Sequence, residues 1–227
     1  MRRPLRVGLL DSGVTDDLLP RVATARRFVA GPDDDVDVLP ATSDPVGHGT
    51  LLARIVLGHV DAAAADLVIA QAFTRRTEVS MRVVAAALEW LVTEHVRVIN
   101  LSFGVRRDDP VLRRATRGAV DAGVLLVAAT PARGGAVYPA AYPGVVAVCA
   151  DARCGPEEVS FLGGIPPLFG ACPQGSLAAV AGSSCASAHV AGLLAAYLAR
   201  LPSATGDRAT AHLQRTARYI GREQRLA

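Results

Sequence analysis

Five short apolar runs, each rich in valine, leucine or isoleucine and bounded by polar or turn residues, recur along this chain. A continuous apolar run of this length is typical of a strand that is buried on both faces, as in a parallel sheet. The predicted strands are Leu5–Leu10, Asp66–Phe73, Val96–Phe103, Val124–Ala129 and Val145–Ala150.

Helical segments lie between and after these strands. From Val79 to His95 apolar residues recur at helical spacing, with charged residues on the other side. The segment that follows Ser184 is apolar nearly all round, which predicts a central buried helix, and an amphipathic helix is predicted near Asp207–Ile220. Strands that alternate with helices indicate an α/β fold, a mainly parallel sheet covered by helices on both faces.

Composition bounds the domain count and the partners. With 227 residues, of which 51% are hydrophobic, we expect a single domain over residues 1–227. The formal net charge is only +3, every basic residue is arginine, and aromatic residues make up 4%. No basic stripe is interleaved with aromatic residues and no unbroken apolar run reaches membrane-spanning length, so we expect no nucleic acid and no membrane as partner.

The N-terminus and the cysteines bear on where the chain acts. Met1–Pro4 lead at once into the first predicted strand, so we expect no cleaved signal peptide, no pro-domain and a cytoplasmic location. In a reducing compartment the four cysteines are expected to be free thiols, since they lack paired metal-ligand spacing. The acidic run Asp33–Asp37 lacks the pattern of an EF-hand and is interpreted as a solvated loop, so no metal and no cofactor is expected.

Ser184 stands after a glycine turn and before the apolar helix, within the segment Gly182–Gly192. A serine hydroxyl at a helix N-terminus lies beside unpaired backbone N–H groups and the positive end of the helix dipole, which suits an oxyanion. An ordinary N-cap has the same appearance, so this segment alone does not decide between the two. Cys185 is a second candidate nucleophile beside it.

Two further segments favour the nucleophile over the cap. An apolar strand ends on Asp11 and a glycine turn, and His48 stands between two glycines before another apolar run. Each is unremarkable alone, because an acid at a strand end usually caps a turn. Together they place Asp, His and Ser in one of the chain orders that build a serine-protease triad.

In combination these segments resemble the subtilisin family of serine proteases. The family's three triad segments match Leu9–Val14, His48–Thr50 and Gly182–Gly192. Two other landmarks agree, since Val98–Gly104 resembles the strand that pairs with substrate and Tyr138–Val148 resembles the segment after the oxyanion loop. The resemblance covers most of the chain.

The resemblance implies a subtilisin-like three-layer fold and a role for each triad residue. Ser184 is the expected nucleophile, His48 the general base, and Asp11 the acceptor that orients the imidazole. In the family's register Cys185 falls on the apolar position after the nucleophile, which implies that it packs near the site. His189 falls within the serine motif, as in the family.

The oxyanion segment departs from the family pattern. Where the family has a strand ending in Ala-Ala-Gly-Asn, this chain continues through Thr130 and Pro131, and Ala132 is assigned to the asparagine position. Asn100, the only asparagine in the chain, is assigned to the substrate strand. The side-chain amide donor is therefore expected to be missing, with Thr130 or Arg133 as candidate replacements.

The resemblance also places the substrate. Ser102, Phe103 and Gly104 are expected to offer backbone groups to an extended peptide added at a sheet edge. Ala128 and Ala129, with Thr130, are expected to line the pocket before the cleaved bond. Between the predicted strand and helix, Arg75 and Arg76 are candidates for contacts with acidic residues of a peptide, although a solvated loop is the simpler interpretation.

Three functional hypotheses follow. The first is an intracellular serine endopeptidase of narrow specificity that acts on a peptide or protein substrate, such as a biosynthetic peptide precursor whose leader it removes. The second is a weak or inactive pseudoprotease that binds a peptide or assists a maturation partner, which the missing asparagine favours. The third is an esterase or another acyl-transfer enzyme with the same triad.

Overall fold

The computed structural model describes residues 3–73, 79–175 and 181–223, and within them it contains a ten-stranded sheet. The strands are β1 (Leu5–Asp11), β2 (Val22–Ala30), β3 (Val36–Pro40), β4 (Ala65–Gln71), β5 (Val98–Leu101), β6 (Leu125–Ala129), β7 (Val145–Ala150), β8 (Val159–Gly163), β9 (Leu168–Ala171) and β10 (Tyr219–Ile220). Their spatial order is β10-β8-β9-β7-β6-β5-β1-β4-β2-β3. All neighbours pair in parallel except β2 with β3 and β8 with β9.

Helices cover both faces of this sheet. They are α1 (His48–Gly58), α2 (Met81–Thr93), α3 (Pro110–Asp121), α4 (Ser183–Arg200) and α5 (Gly206–Arg215). Because side chains alternate along a strand, Leu9 packs in a core with α1, α4 and α5, whereas its neighbour Leu10 packs in a second core with α2 and α3. The predicted α/β fold with a mainly parallel sheet is confirmed.

The central strands match the sequence pattern best. Val145–Ala150 is a strand over its predicted bounds, and the other four predicted strands differ at their ends. The largest difference is in β5, which ends at Leu101 rather than at Phe103. Beyond Leu101 the backbone leaves the sheet, and the Ser102 carbonyl accepts a hydrogen bond from a side chain instead of from a neighbouring strand.

The sequence pattern missed β2, β3, β8, β9 and β10. The acidic run Asp33–Asp37, expected to be a loop, runs into β3, which pairs antiparallel with β2 at the border of the sheet. Exposed edge strands tolerate charged residues, so their sequences lack the apolar signal of the central strands. The prediction of a loop was therefore wrong at its C-terminal end.

The last helix is shorter than predicted. It ends at Arg215 rather than near Ile220, and Tyr219–Ile220 pairs in parallel with β8. The N–H of Arg218 donates to the carbonyl of Val159 at 2.8 Å, which draws this part of the chain onto the sheet border. Two residues are too few for a sequence pattern to separate a strand from the end of an amphipathic helix.

Two consequences of this architecture bear on function. In a parallel sheet the carboxyl ends of the strands share one edge, so β1, β5, β6 and β7 deliver the residues that follow them to one place. Helix α4 lies across the same strands, and its N-terminus meets that edge. Among the described residues no helix has the length and apolar character needed to cross a membrane.

Candidate active site

Asp11 is the last residue of β1, and its carboxylate is almost completely buried, with 5% exposure. Its Oδ1 accepts hydrogen bonds from the backbone N–H of Ser12 and from Nδ1 of His48, both at 2.8 Å. The two side chains also form an ion pair when the imidazole is protonated. This contact leaves Nε2 as the imidazole nitrogen that faces away from the acid, as a general base requires.

The close contact between Asp11 and His48 depends on glycine at position 49. Helix α1 begins at His48, and the N–H of Gly49 donates to Oγ of Ser12 at 2.9 Å. A Cβ atom at position 49 would lie 2.3 Å from the carbonyl oxygen of Gly13. Only glycine lets the first turn of α1 approach the turn after β1 this closely.

Asp44 holds the loop in front of His48, and sequence analysis missed it. Its Oδ1 accepts from the N–H groups of Val46 and Gly47, and its Oδ2 accepts from the N–H and hydroxyl of Thr50, at 2.6 to 2.9 Å. Burial raises the pKa of Asp44, but these hydrogen bonds outweigh it and leave the pKa below the ordinary value. An acid a few residues before a helix start is the signal that identifies such a cap.

Gln71 is a second supporting residue that the sequence analysis did not identify. It ends β4 beside Asp11 and is fully buried. Its Nε2 donates to the carbonyls of Ser12 and Thr42, and its Oε1 accepts from the N–H of Thr42. A polar residue at the end of an otherwise apolar strand is the sequence signal for this role.

Ser102 connects the acid to the candidate nucleophile. Its hydroxyl donates to Oδ2 of Asp11, the oxygen that His48 does not use. Its carbonyl oxygen accepts a hydrogen bond from Oγ of Ser184 at 3.2 Å. The structure thus brings together Asp11, His48, Ser102 and Ser184, although they come from β1, α1, the end of β5 and α4.

Ser184 occupies the first turn of α4, as the sequence predicts. The helix begins at Ser183 after Gly182, whose φ of 133° is a conformation that favours glycine. Oγ of Ser183 accepts from the N–H of Ala150 at 3.3 Å, so α4 begins beside the end of β7. The N–H of Ser184 belongs to the helical turn whose N–H groups have no acceptor within the helix.

Cys185 lies in a different environment from Ser184. Its side chain is completely buried in the core under α4. Burial raises the pKa of the thiol above its ordinary value, which disfavours the thiolate that nucleophilic attack requires. The expectation that Cys185 packs beside the site is confirmed by its burial.

The predicted substrate-binding residues lie around the same place. Ser102, Phe103 and Gly104 follow the last paired residue of β5, Leu101, and lie beyond its pairing with β1 and β6, so the pairing of their backbone with an extended peptide stays a prediction. The three residues leave the sheet, and Val105 bridges antiparallel to Tyr138.

The remaining binding residues differ in accessibility. Ala128 is completely buried and Ala129 is 8% exposed, both within β6. A cavity of about 680 Å³ opens just beyond them, and its lining begins at Thr130. Arg75 and Arg76 lie outside the described residues.

The candidate oxyanion donors line this cavity. Thr130 is half-buried, and its backbone N–H already donates to the carbonyl of Val148 at 2.8 Å, so only its hydroxyl remains as a donor. Arg133 is exposed in the loop that follows. Counted from the end of β6, the family's asparagine falls on Pro131 or Ala132, and neither side chain has a donor.

A pair of histidines joins the end of α1 to α4. Nε2 of His59 lies 2.9 Å from Nδ1 of His189, and Nε2 of His189 lies 2.9 Å from the carbonyl oxygen of Gln174. Burial, followed by the charge of His189, lowers the pKa of His59 to about 4, and burial also lowers the pKa of His189. At neutral pH both rings are uncharged and serve as packed hydrogen-bonding groups.

The comparison with protein families decides the relationship. The model of the subtilase family, Peptidase_S8, matches residues 3–226. This chain belongs to the subtilase family. Membership agrees with the geometry above, since the three triad segments recognised in the sequence are the ones that meet at the carboxyl edge of the sheet.

Individual subtilases are similar at a moderate level. The chain is 30% identical to the thermostable alkaline protease of Halalkalibacterium halodurans over 95% of its own length and 63% of that relative. It is 29% identical to Subtilisin Savinase of Lederbergia lenta, over 96% and 84% respectively. For M-protease of Shouchella clausii the matched share is 60%, so the chain spans about three fifths of two of these subtilases.

Solved structures of subtilases share the fold. Sphericase superposes with a TM-score of 0.70 at 18% identity, covering 93% of this chain and 82% of that one. The S41 psychrophilic protease gives 0.66 at 20% identity with the same coverage. At this identity the likeness establishes the subtilisin-like fold alone.

Proposed function

We propose that this subtilase is a serine endopeptidase in which Asp11, His48 and Ser184 form the catalytic triad. One observation carries the proposal. One carboxylate oxygen of Asp11 accepts a hydrogen bond from Nδ1 of His48, and the other accepts one from the hydroxyl of Ser102. The carbonyl oxygen of Ser102 in turn accepts a hydrogen bond from the hydroxyl of Ser184. Membership of the subtilase family supports the same assignment of roles.

The reaction follows from these positions. His48 takes the proton of the Ser184 hydroxyl as the oxygen attacks the peptide carbonyl, and Asp11 stabilises the imidazolium that forms. The tetrahedral intermediate collapses when His48 gives the proton to the leaving amine, which breaks the C–N bond and leaves an acyl-enzyme. His48 then activates a water that releases the carboxylic acid and regenerates the serine.

The oxyanion is stabilised chiefly by the backbone N–H of Ser184. In the first turn of α4 this group also benefits from the positive end of the helix dipole. The hydroxyl of Thr130 or the guanidinium of Arg133 is the proposed second donor. Removal of one such donor costs about a hundredfold to a thousandfold in turnover, so the missing asparagine supports a slow enzyme.

A slow enzyme suits a dedicated processing task, and we place this chain in that class. The proposed substrate is a biosynthetic peptide precursor from which a leader is removed. The candidate that we propose to test is the precursor of the small subunit of quinohemoprotein amine dehydrogenase, which a compact subtilisin-like protease trims. The four cysteines are buried and none of them forms a disulfide in the described part of the chain, which supports action inside the cell, where disulfides are rare.

Active-site labelling tests the triad. A fluorophosphonate probe is expected to label the wild-type chain and to leave Ser184→Ala unlabelled. Ser183→Ala is the matched control, because Ser183 occupies the same helix end but bonds the N–H of Ala150, and it should keep its label. Cys185→Ala should also remain labelled. A labelled Ser184→Ala, or an unlabelled wild type, contradicts the proposal and in the second case favours a pseudoprotease.

Mass spectrometry of digests tests the processing role. Peptide precursors encoded near the gene, including one of the amine-dehydrogenase type, are incubated with the wild type and with Ser184→Ala. Cleavage at a single bond by the wild type alone is the expected result. Broad digestion of casein would contradict narrow specificity while leaving the peptidase assignment intact.

A further inference from the structure

The cavity beyond β6 borders the segment 102–104, which contacts the candidate nucleophile. Its walls are the loop 130–137, the turn 162–166 between β8 and β9, and Arg222, and its volume is about 680 Å³. Val137, one of its lining residues, would lie 3.3 Å from a Cβ atom added to Gly104. The cavity therefore adjoins the segment 102–104, whose Ser102 carbonyl contacts Ser184.

Charge in this cavity has one sign. Among the described residues that line it, Arg133 and Arg222 are the charged ones, and none is an aspartate or a glutamate. The other walls are glycine, alanine, proline and aliphatic side chains with one threonine. Both arginines are exposed, so their attraction for an anion acts through solvent and weakens as salt rises.

Both arginines have donors to offer. In the described part of the chain Arg133 makes no ion pair and no side-chain hydrogen bond. Arg222 donates one N–H group to the carbonyl oxygen of Ala132, at 2.5 Å. Because a guanidinium has five N–H groups, others remain for a ligand. That bond also holds Arg222 against the loop that carries Arg133.

The adjoining cavity, of about 490 Å³, shows the contrast. It shares Arg133 and Arg222 but is also lined by Arg153, Asp151 and Glu223. There the Arg153 guanidinium is already paired with Asp151 at 2.7 Å. A substrate carboxylate entering that space would meet two acids, whereas in the cavity beyond β6 it meets arginines alone.

We propose that this chain selects an acidic residue, glutamate or aspartate, immediately before the bond it cleaves, and that Arg133 and Arg222 bind its carboxylate. The proposal rests on the proposed function and adds the substrate class to it. Guanidinium and carboxylate form charge-assisted, often bidentate hydrogen bonds, which give geometric selectivity as well as attraction. Arg133 acts here on the substrate side chain, which leaves the hydroxyl of Thr130 as the proposed second donor to the oxyanion.

The test uses peptides that are identical except for the residue before the cleaved bond, which is Glu, Gln, Lys or Leu. For the wild type we expect kcat/KM for the Glu peptide to exceed that for the Gln peptide by about tenfold or more, from one charge-assisted contact, and the ratio to fall as salt rises. Arg133→Gln and Arg222→Gln should each reduce the Glu/Gln ratio several-fold, and the double variant should abolish it. Arg114→Gln, an exposed arginine on α3, is the matched control and should keep the ratio.

The outcomes separate this proposal from the proposed function. If the fluorophosphonate probe labels Ser184 but Glu and Gln peptides are cleaved equally, or Lys is preferred, the acidic selectivity is wrong and the peptidase stands. If Arg133→Gln lowers cleavage of both peptides by the same factor, Arg133 serves the oxyanion and the selectivity proposal is overturned for that residue.

Binding provides a measurement that does not depend on turnover. Binding of each fluorescent peptide is measured with the Ser184→Ala variant. We expect the Kd of the Glu peptide to be lower than that of the Gln peptide by the same factor, and the double variant Ser184→Ala/Arg222→Gln should bind the two peptides equally. Equal Kd values for the two peptides contradict the proposal. If the wild type is neither labelled nor able to cleave any peptide, the endopeptidase assignment fails, and the binding ratio then decides whether the cavity still selects an acid.

Discussion

Ser102 donates its hydroxyl hydrogen to Oδ2 of Asp11, on the opposite carboxylate oxygen from the one that bonds His48. Both oxygens of a buried acid are therefore held by named side chains, and the plane of the carboxylate is fixed. Because the imidazole bonds one of these oxygens at 2.8 Å, the hydrogen bond from Ser102 to the other oxygen helps to hold His48 in place. Ser102 is therefore a positioning residue for the proposed triad.

Replacing Ser102 with alanine is expected to lower kcat about 10- to 100-fold with little change in KM. A hydrogen bond to a charged group is worth about 1.5 to 3 kcal/mol, and about 1.4 kcal/mol corresponds to a factor of ten. Steady-state kinetics on a cleaved peptide measure the effect. Ser102→Thr keeps the hydroxyl and should recover most of the activity; an alanine variant with wild-type kcat would remove Ser102 from the positioning role.

Replacing Gly49 with alanine is expected to destabilise the fold by about 1 to 3 kcal/mol and to lower kcat about a hundredfold. The new Cβ would meet the Gly13 carbonyl at 2.3 Å, so the first turn of α1 must move and His48 must move with it. Urea denaturation and peptide cleavage measure the two effects. Gly58→Ala is the control at the other end of α1, where an added Cβ would meet no neighbouring atom within 4 Å. We expect it to be neutral or to stabilise the fold by up to about 1 kcal/mol.

Replacing Asp151 with asparagine is expected to lower the free energy of unfolding at pH 7 by about 2 kcal/mol. The hydrogen bond from Arg153, opposed by burial and reinforced by Ser160, lowers the pKa of Asp151 to about 2. A folded-state pKa below the unfolded one means that the contribution is complete above about pH 4 and is lost as the pH falls toward 2. Urea titrations should show the gap between wild type and variant narrowing over this window; a gap independent of pH would contradict the assignment.

The histidine pair predicts a loss of stability in acid that begins at a higher pH than the loss expected from Asp151. Because the folded-state pKa of His59 is about 4, the unfolded chain binds more protons between pH 6.5 and 4, and stability falls as the pH falls through this range. The variant His59→Gln keeps a hydrogen-bonding group next to His189. Between pH 6.5 and 4 we expect its free energy of unfolding to fall by about 2 to 3 kcal/mol less than that of the wild type. His212→Gln, which replaces a ring stacked on Tyr197, should behave as the wild type does.

Much of the site is predictable from sequence because its chemistry and its fold coincide. Asp11 ends an apolar strand and Ser184 begins an apolar helix, so the pattern that predicts the element also places the residue. His48 is placed by its glycine neighbours, one of which the close approach of α1 to β1 requires. Each of these three residues is identified by its immediate neighbours in the sequence, so no knowledge of the fold is needed to find it.

The parts that were missed depend on contacts across the chain. Asp44 precedes a helix start and Gln71 ends an apolar strand, and these signals indicate a supporting role, but the backbone groups that the two side chains bond are identified only by the fold. The pairing of Arg222 with Ala132 joins the end of the chain to the loop after β6, a relationship that no spacing in the sequence indicates. Edge strands were missed for a related reason, since their stability comes from one neighbour rather than from burial.

The order of the elements along the chain has a consequence for timing. Asp11 lies on the first strand and the candidate nucleophile lies on the fourth helix, so nearly the whole polypeptide separates the two partners. A growing chain on the ribosome holds the acid and the base long before it holds the serine. The proposed triad is therefore complete only after α4 has emerged and packed against β5, β6 and β7, which makes the proposed hydrolysis depend on a late step of folding.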